Sequence, residues 1–408
     1  MKKILYLTFY FEPDLCAGSF RNSPLAKELA SQLEEEAEIE IITTLPNRYS
    51  SYESDAQQYE ENGNISIHRI LIPKHKSGFL DQIYSFNTYF REVRRIAKGK
   101  HYDLVFASSS RLFTAYLGYF LAKQRNAPLY LDIRDIFIDT IKDVVKNRVL
   151  KWVFLPGLTI LEKKVFTYAA HINLISEGFG PYFTKFIGPK FSFFPNGIDN
   201  EFLNLEESEA IERPYKLITY AGNLGEGQGL HIIIPQAAKT LGSDYRFLII
   251  GDGGVKHKLV AELDRLDVDN VEIRNPIPRE ELLATYKDSD FLFLHLNDYE
   301  AFKKVLPSKI FELGAYDKPI IAGVAGFANK FLQENIPNRI LFLPGDVDGM
   351  VKQLRNYKYE TYFRNSFIAK YQRSAINRNM AKSIVNVMTD KSLVMNFFYV
   401  LCSFCSLF

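Results

Sequence analysis

Lys303, Lys304 and Lys309 gather around a Pro307-Ser308 pair, and Glu312 follows one turn later, within KKVLPSKIFELGAYDKPIIA at residues 303–322. Pro suits the first turn of a helix and Ser can cap exposed backbone N–H groups, so a short helix is expected to start here. Gly314 and Asp317 would end it, before an apolar strand at 319–322. An uncapped helix start attracts anions, through its free N–H groups and its dipole. The pattern suits a diphosphate held by amides and lysines, with Glu312 accepting hydrogen bonds from sugar hydroxyls. An ordinary capped helix with solvated lysines would use the same residues.

Four other stretches hold candidate chemistry. In FEPDLCAGSF at 11–20, Gly18 permits close backbone approach to a ligand and Ser19 can cap the following helix. In YAGNLGEGQGL at 220–230, the glycines at 222, 225, 227 and 229 make a loop whose amides can face phosphate oxygens, or simply a structural turn. Its spacing is not the dinucleotide fingerprint, and no Walker lysine follows. IIGDGG at 249–254 runs a strand into Gly251, Asp252 and Gly253, with Asp252 suited to capping the next helix or to lying near a nucleoside. In LDIRDIFIDT at 131–140, Asp132, Asp135 and Asp139 surround Arg134; a carboxylate there can orient a hydroxyl and the arginine neutralise a phosphate, or all four form a salt-bridged loop.

These motifs need a scaffold. Short apolar runs at 4–8, 39–43, 65–70, 104–107, 129–133, 172–175 and 191–194 read as buried parallel strands, with helices at 20–33, 79–97, 112–123 and 149–168 between them. A second series at 216–220, 245–250, 271–273, 291–294, 319–322 and 340–342 follows a charged stretch, 206–214, that reads as a linker. The expected fold class is α/β, with two Rossmann-like doubly wound domains facing across a cleft. Residues 46–64 are polar and read as a surface loop, and FPNGID at 194–199 as a tight turn between the domains.

Composition narrows the classes further. The chain has 408 residues, 47% of them hydrophobic, and a formal charge of +2, which argues against nucleic acid as the main partner. Cys16, Cys402 and Cys405 cannot form a disulfide framework, which fits a reducing cytoplasm, and no metal site is expected. MKKILYLT at the start reads as a first strand, because Glu12 and Asp14 interrupt any signal-like apolar run. The apolar stretch 393–408 would span about 24 Å as a helix, short of the ~30 Å hydrocarbon core, so it reads as a surface anchor or a packed helix.

Taken in order, FPNGID, YAGNLGEGQGL, IIGDGG, YKDSDFLFLHL and LPSKIFELGAYDKPIIAG resemble the GT-B glycosyltransferases of family 4, over about residues 1–388. DIRDIFIDTIKDV and HLNDYEAFKKVLPSKIFE further resemble bacterial O-antigen and capsule transferases of the N-acetyl-L-fucosaminyl type. The resemblance implies an acceptor domain at 1–205, a donor domain at 215–370 and a helix at 371–390 returning to the first domain; the apolar tail at 391–408 lies outside it. The resemblance also implies a UDP-sugar as substrate, no cofactor or metal, and retention of the anomeric configuration.

Carried over, Glu312 corresponds to the glutamate that hydrogen-bonds the nucleotide ribose, and Pro307, Ser308 and Lys309 lie where donor phosphates bind. Gly18 falls in the first-domain loop that closes on the diphosphate; Gly222, Gly225, Gly251, Asp252 and Gly253 line the donor side. Three positions depart from the family: Lys304 stands where the first of two glutamates is expected, and Asn223 and Gln228 replace an arginine and a lysine. Lys304, Lys309 and Arg134 are expected to supply the missing charge, and Asp135 to orient the acceptor.

A lipid-linked acceptor and an inner-leaflet membrane surface are implied as partners, with a peripheral cytoplasmic location. For that surface the sequence offers the basic and aromatic stretch 142–166, with Lys146, Arg148, Lys151, Trp152 and Phe154, which would equally pack as an ordinary amphipathic helix. A GT-B nucleotide-sugar epimerase and a non-catalytic nucleotide-sugar-binding scaffold are the alternative readings.

Overall fold

The structure, a computed structural model, describes residues 1–14, 16–46, 56–73, 79–109, 112–144, 148–203 and 212–390. By contact the chain divides into two compact units, Met1–Pro195 together with the chain from Ser374, and Asn196–Arg373. The expected linker 206–214 and the apolar stretch 393–408 lie largely or wholly outside the described residues.

The first unit is built on β1 (Lys2–Thr8), β2 (Ala37–Thr44), β3 (Tyr59–Asn62), β4 (Ile65–Ile70), β5 (Leu104–Ser109), β6 (Leu129–Ile133), β7 (His171–Leu174) and β8 (Lys190–Ser192). They form one sheet in the order β3-β4-β2-β1-β5-β6-β7-β8. Every neighbouring pair is parallel except β3 with β4. Helices cover both faces of such a sheet, so its central strands are continuous apolar runs; β1 buries Ile4 to Leu7 completely.

One core cluster joins Ile4, Tyr6, Ile39 and Phe106 to Leu25 and Leu29 of the helix Ala17–Leu33. Met380, Ala381, Ile384 and Val387 of the helix Arg373–Thr389 complete that cluster. Two elements here differ from expectation. The polar segment 46–64 contains β3, whose YEEN sequence reads as a loop but which pairs at the sheet edge through a turn at Gly63, φ +58°. The DIRDIFIDT stretch contains a short helix, Phe137–Val144.

The second unit carries β9 (Lys216–Ala221), β10 (Tyr245–Ile250), β11 (Val271–Arg274), β12 (Phe291–His295), β13 (Ile320–Gly323) and β14 (Arg339–Phe342). Their order is β11-β10-β9-β12-β13-β14, and all pairs are parallel. This is the doubly wound arrangement, in which the strand order reverses at a switch point and ligands lie beyond the carboxyl ends of the strands there. The reversal falls between β9 and β12 in this unit and between β1 and β5 in the first. The YAGNLGEGQGL loop leaves β9 at its carboxyl end, so the chain's richest glycine run sits at a switch point.

Candidate functional site

In the second unit the two glycine loops form one structure. The Gly222 amide donates to the Ile250 carbonyl (2.8 Å), Leu224 to Asp252 (2.9 Å), and Val255 to Leu224 (3.0 Å). The approach is close enough to exclude any side chain: a Cβ on Gly251 would lie 1.9 Å from the Gly222 oxygen, and one on Gly253 2.6 Å from Leu224 backbone. Asp252 does not cap the following helix, Lys256–Leu266, whose first residue is preceded by Val255 with no side-chain cap. Its carboxylate instead accepts from the adjacent Gly253 amide (2.9 Å), because the backbone turns back before the helix begins.

Lys309 reaches this same loop and pairs with Glu312. The Lys309 ammonium lies 3.7 Å from the Glu312 carboxylate and 5.9 Å from the centre of the Tyr220 ring. A Cβ on Gly222 would meet the Lys309 stem at 3.1 Å and the Tyr220 hydroxyl at 3.1 Å, so glycine keeps that corner open. The Tyr220 hydroxyl donates to the Asn223 carbonyl (2.8 Å) and the Asn223 amide to the Gln228 side-chain oxygen (2.9 Å). Asn223 and Gln228, where an arginine and a lysine were expected, therefore spend polar groups on one another and close the loop.

Around Glu312 stand three residues that sequence reasoning missed, Arg279, Tyr286 and Tyr316. Arg279 pairs with Asp199 (2.5 Å) and feels the Glu312 carboxylate as well. Burial first, and then the Glu312 charge among its neighbours, pushes the Tyr286 and Tyr316 phenols far above their ordinary range, so both stay protonated. Arg279 and Tyr286 lie on the helix Arg279–Asp288; Arg279 falls outside the motifs, while Tyr286, at the start of YKDSDFLFLHL, and Tyr316, within the 303–322 stretch, have no charge or turn role to mark them.

The expected helix start is revised. The helix is only Lys309–Gly314, and Ser308 adopts helical backbone angles without a side-chain cap. The Ile310 and Phe311 amides are already used, donating to the Pro307 (3.1 Å) and Ser308 (3.1 Å) carbonyls. A tight first turn thus consumes amides that were expected to face an anion, leaving Lys309 as the defined cation of this corner. Lys303 does not crowd it, since its ammonium pairs with Glu300 (2.5 Å) and Asp298 (3.4 Å). Lys304 ends the short 3-10 turn Phe302–Lys304, half-buried, with its amide donating to the Ala301 carbonyl (3.3 Å).

In the first unit Gly18 and Arg134 come together. A Cβ on Gly18 would lie 2.9 Å from the Arg134 guanidinium and 3.1 Å from Tyr10. Ser19 is buried inside the first turn of Ala17–Leu33 and caps nothing; Cys16 holds the cap position without a side-chain bond.

The carboxylates around Arg134 divide by role. Asp132 is fully buried and receives both arms of Arg21 (2.8 and 2.8 Å), with Ser108 (3.0 Å) and Asn173 (2.8 Å) beside it. Burial alone would raise its pKa, but Arg21, Asn173 and Arg134 hold it below the usual range, so it is a structural anion. Asp139 lies in the helix Phe137–Val144 and pairs with Lys142 (3.3 Å). Asp135 is half-buried, and burial pushes its pKa up to about 6 against the opposing pull of Arg134. A carboxyl that titrates near neutrality beside a cation can bind or orient a hydroxyl.

Among the described residues no cluster of three or more His, Cys, Asp or Glu side chains could hold a metal ion, and no helix is long and apolar enough to cross a membrane. The helix Arg148–Tyr168 nevertheless turns large apolar groups outward: Trp152 is 81% exposed, Phe154 57% and Ile160 58%.

Residues 202–373, which hold both glycine loops, Lys309 and Glu312, match the family described as Glycosyl transferases group 1. That segment is similar to the group 1 glycosyl transferase domain over 202–373. No curated protein sequence matches the chain. Solved structures do. The UDP-forming α,α-trehalose-phosphate synthase from Burkholderia xenovorans superposes with a TM-score of 0.66 at 14% identity, covering 95% of this chain and 100% of that one. Sucrose-phosphate synthase from Thermosynechococcus elongatus gives 0.64 at 12% identity, covering 100% of both chains. Anabaena HepE in complex with UDP and glucose gives 0.59 at 15% identity, covering 97% and 100%. At such identities the likeness is one of fold, and the chain has the GT-B fold. Within this matched segment, the loop after β9 and the Lys309–Glu312 pair bring glycines, a cation and a carboxylate together.

Proposed function

We propose that the protein is a retaining, metal-independent glycosyltransferase of the family 4 type that moves a sugar from a UDP-sugar to a lipid-linked or saccharide acceptor. The observation that carries this reading is the Lys309–Glu312 pair set against Gly222 inside the segment similar to the group 1 domain. Lys309 neutralises donor phosphate, the Gly222–Gly229 loop supplies amides, and Glu312 accepts from ribose hydroxyls. Two solved relatives in the fold comparison were determined with UDP-glucose or UDP-2-fluoro glucose bound, which supports a UDP-sugar as donor.

The reaction proceeds on one face of the sugar. The acceptor oxygen forms its bond to the anomeric carbon as the bond to the diphosphate breaks, and the acceptor proton passes to the departing phosphate oxygen. The protein contributes position and charge: Lys309, Lys304 and Arg134 stabilise the developing diphosphate, and Asp135 orients the acceptor hydroxyl. The sugar is an N-acetylated deoxyaminosugar such as N-acetyl-L-fucosamine, and the setting is surface polysaccharide synthesis at the inner face of the membrane. Exposed Trp152, Phe154 and Ile160, followed by Lys163 and Lys164 on the same helix, support contact with an anionic lipid surface.

The test is incubation of the protein with a panel of UDP-sugars and a lipid-diphosphate acceptor, followed by mass analysis. An acceptor heavier by one sugar residue is expected, with the transferred sugar's anomeric configuration kept when the product linkage is read by NMR. Donor binding without any transfer would favour a scaffold, and a changed donor without acceptor an epimerase.

A further inference from the structure

The loop after β9 is held from two sides. Tyr220 and the β10 loop secure its first half, through the bonds to Asn223, Gly222 and Leu224 given above. Its second half is gripped by the end of β12, the strand across the switch point. There the Asn297 amide donates to the Gly227 carbonyl (2.8 Å) and the Asn297 side chain to the Glu226 carbonyl. The Gln228 carbonyl accepts from His295 Nδ1 (2.6 Å).

His295 has a defined tautomer. Its Nε2 accepts the Gly345 N–H (3.0 Å), so the proton must sit on Nδ1, facing Gln228. The ring is completely buried and packs beside Phe293 (6.4 Å) and Phe342 (6.0 Å), which also face each other (6.4 Å). Space for it depends on β13, because a Cβ on Gly323 would lie 2.3 Å from the imidazole. Burial pushes its pKa down to about 4, and the neutral ring is the form that fits this donor and acceptor pair. A group so enclosed touches no substrate.

We infer that His295, with Asn297, is a positioning residue for the donor: it fixes the carbonyls of residues 226–228 toward β12 and so sets the direction of the loop's amides. In a trans peptide the carbonyl and the following N–H point in opposite directions. Drawing the Glu226 and Gln228 carbonyls toward β12 therefore turns the Gly227 and Gly229 N–H groups away from it. The Asn223–Gln228 bond turns those two neutral side chains on one another, so within residues 222–229 the backbone amides are the groups left to meet a phosphate. Gly229 (φ +59°) and Gly227 complete the clamp, since a Cβ on either would strike Asn297 (2.2 Å) or the Phe302 ring (2.9 Å). The inference rests on the reading of this loop as the donor-phosphate site.

The test measures UDP affinity by calorimetry, with donor KM, kcat and melting temperature, for the full chain and four variants. His295→Phe keeps a ring against Phe293 and Phe342 but offers no donor or acceptor. His295→Gln restores one of each. Asn297→Ala removes only the half-exposed bond to Glu226, and carries the test should His295→Phe not fold. Asn270→Ala is the stability control, because it loses buried bonds to Ala238 (3.0 Å), Gly242 (2.8 Å) and Tyr245 (2.9 Å) at the opposite end of the strands.

His295→Phe and Asn297→Ala are expected to weaken UDP by about tenfold, with donor KM rising more than kcat falls. His295→Gln should recover most of the affinity, and Asn270→Ala should melt earlier with UDP affinity unchanged. The inference is overturned if the His295 and Asn297 variants bind UDP like the wild type, or if Asn270→Ala weakens it equally. A wild-type chain that binds no UDP would instead remove the donor-loop reading beneath it.

Discussion

Asp135→Asn separates stability from chemistry at one position. The Asp135 carboxyl titrates at about 6 in the folded chain, against an ordinary value of 3.8, because burial disfavours its charge. The folded state therefore keeps a proton, between those two values, that the unfolded chain has released. Stability falls as pH rises through that window, and the full cost is present above about pH 6. A difference of about 2 pK units corresponds to ~3 kcal/mol as an upper bound, and the side chain's partial exposure reduces the expected value to about 1–2 kcal/mol.

Asparagine keeps the shape without the charge. Urea denaturation followed by far-UV circular dichroism should show Asp135→Asn more stable than the wild type at pH 8, with the two converging at pH 4. Turnover should move oppositely, dropping by roughly 10²-fold or more and losing the wild-type rise through about pH 6. A variant no more stable than the wild type at pH 8 would refute the burial argument, and one with undiminished turnover would refute the assignment to the acceptor.

Other expectations follow from the same geometry. Asp132→Ala strands the Arg21 guanidinium in the core and should cost about 3–5 kcal/mol, read from the urea midpoint; a loss below ~1 kcal/mol would show that the pair is not structural. Lys304→Ala should weaken donor binding, measured as KM for the UDP-sugar, and an unchanged KM and kcat would remove Lys304 as a source of compensating charge. Replacing both Trp152 and Phe154 with Ser should abolish sedimentation with vesicles of anionic phospholipid while leaving the fold intact; undiminished sedimentation would exclude this helix as the contact.

Much of the fold was legible because buried parallel strands announce themselves as apolar runs. Residues 65–70, 129–133 and 245–250 fall on β4, β6 and β10 residue for residue. The polar edge strand β3 carries no such run, since three of its four residues are exposed. At the site, Lys309, Glu312, Gly222 and Gly253 could be named from their motifs, because each motif is local. What could not be read was how neighbouring polar groups were already committed. Asp132 looked equivalent to Asp135 until Arg21, 111 positions away, was found to occupy it. Ser308 and Ser19 looked like caps, but tight backbone turns left them no role. His295 ends the apolar strand β12 and falls within two of the quoted motifs, but nothing in them marks its role, as its partners Gln228 and Gly345 come from two other loops.

The central claim is that the Lys309 and Glu312 corner of the segment similar to the group 1 domain receives a UDP-sugar. Calorimetric titration of UDP into the wild-type chain and Lys309→Ala tests it most directly. The account predicts one site per wild-type chain and at least about tenfold weaker binding on loss of the charge-assisted contact. Equal affinity in the two proteins, or no UDP binding by the wild type, would contradict it.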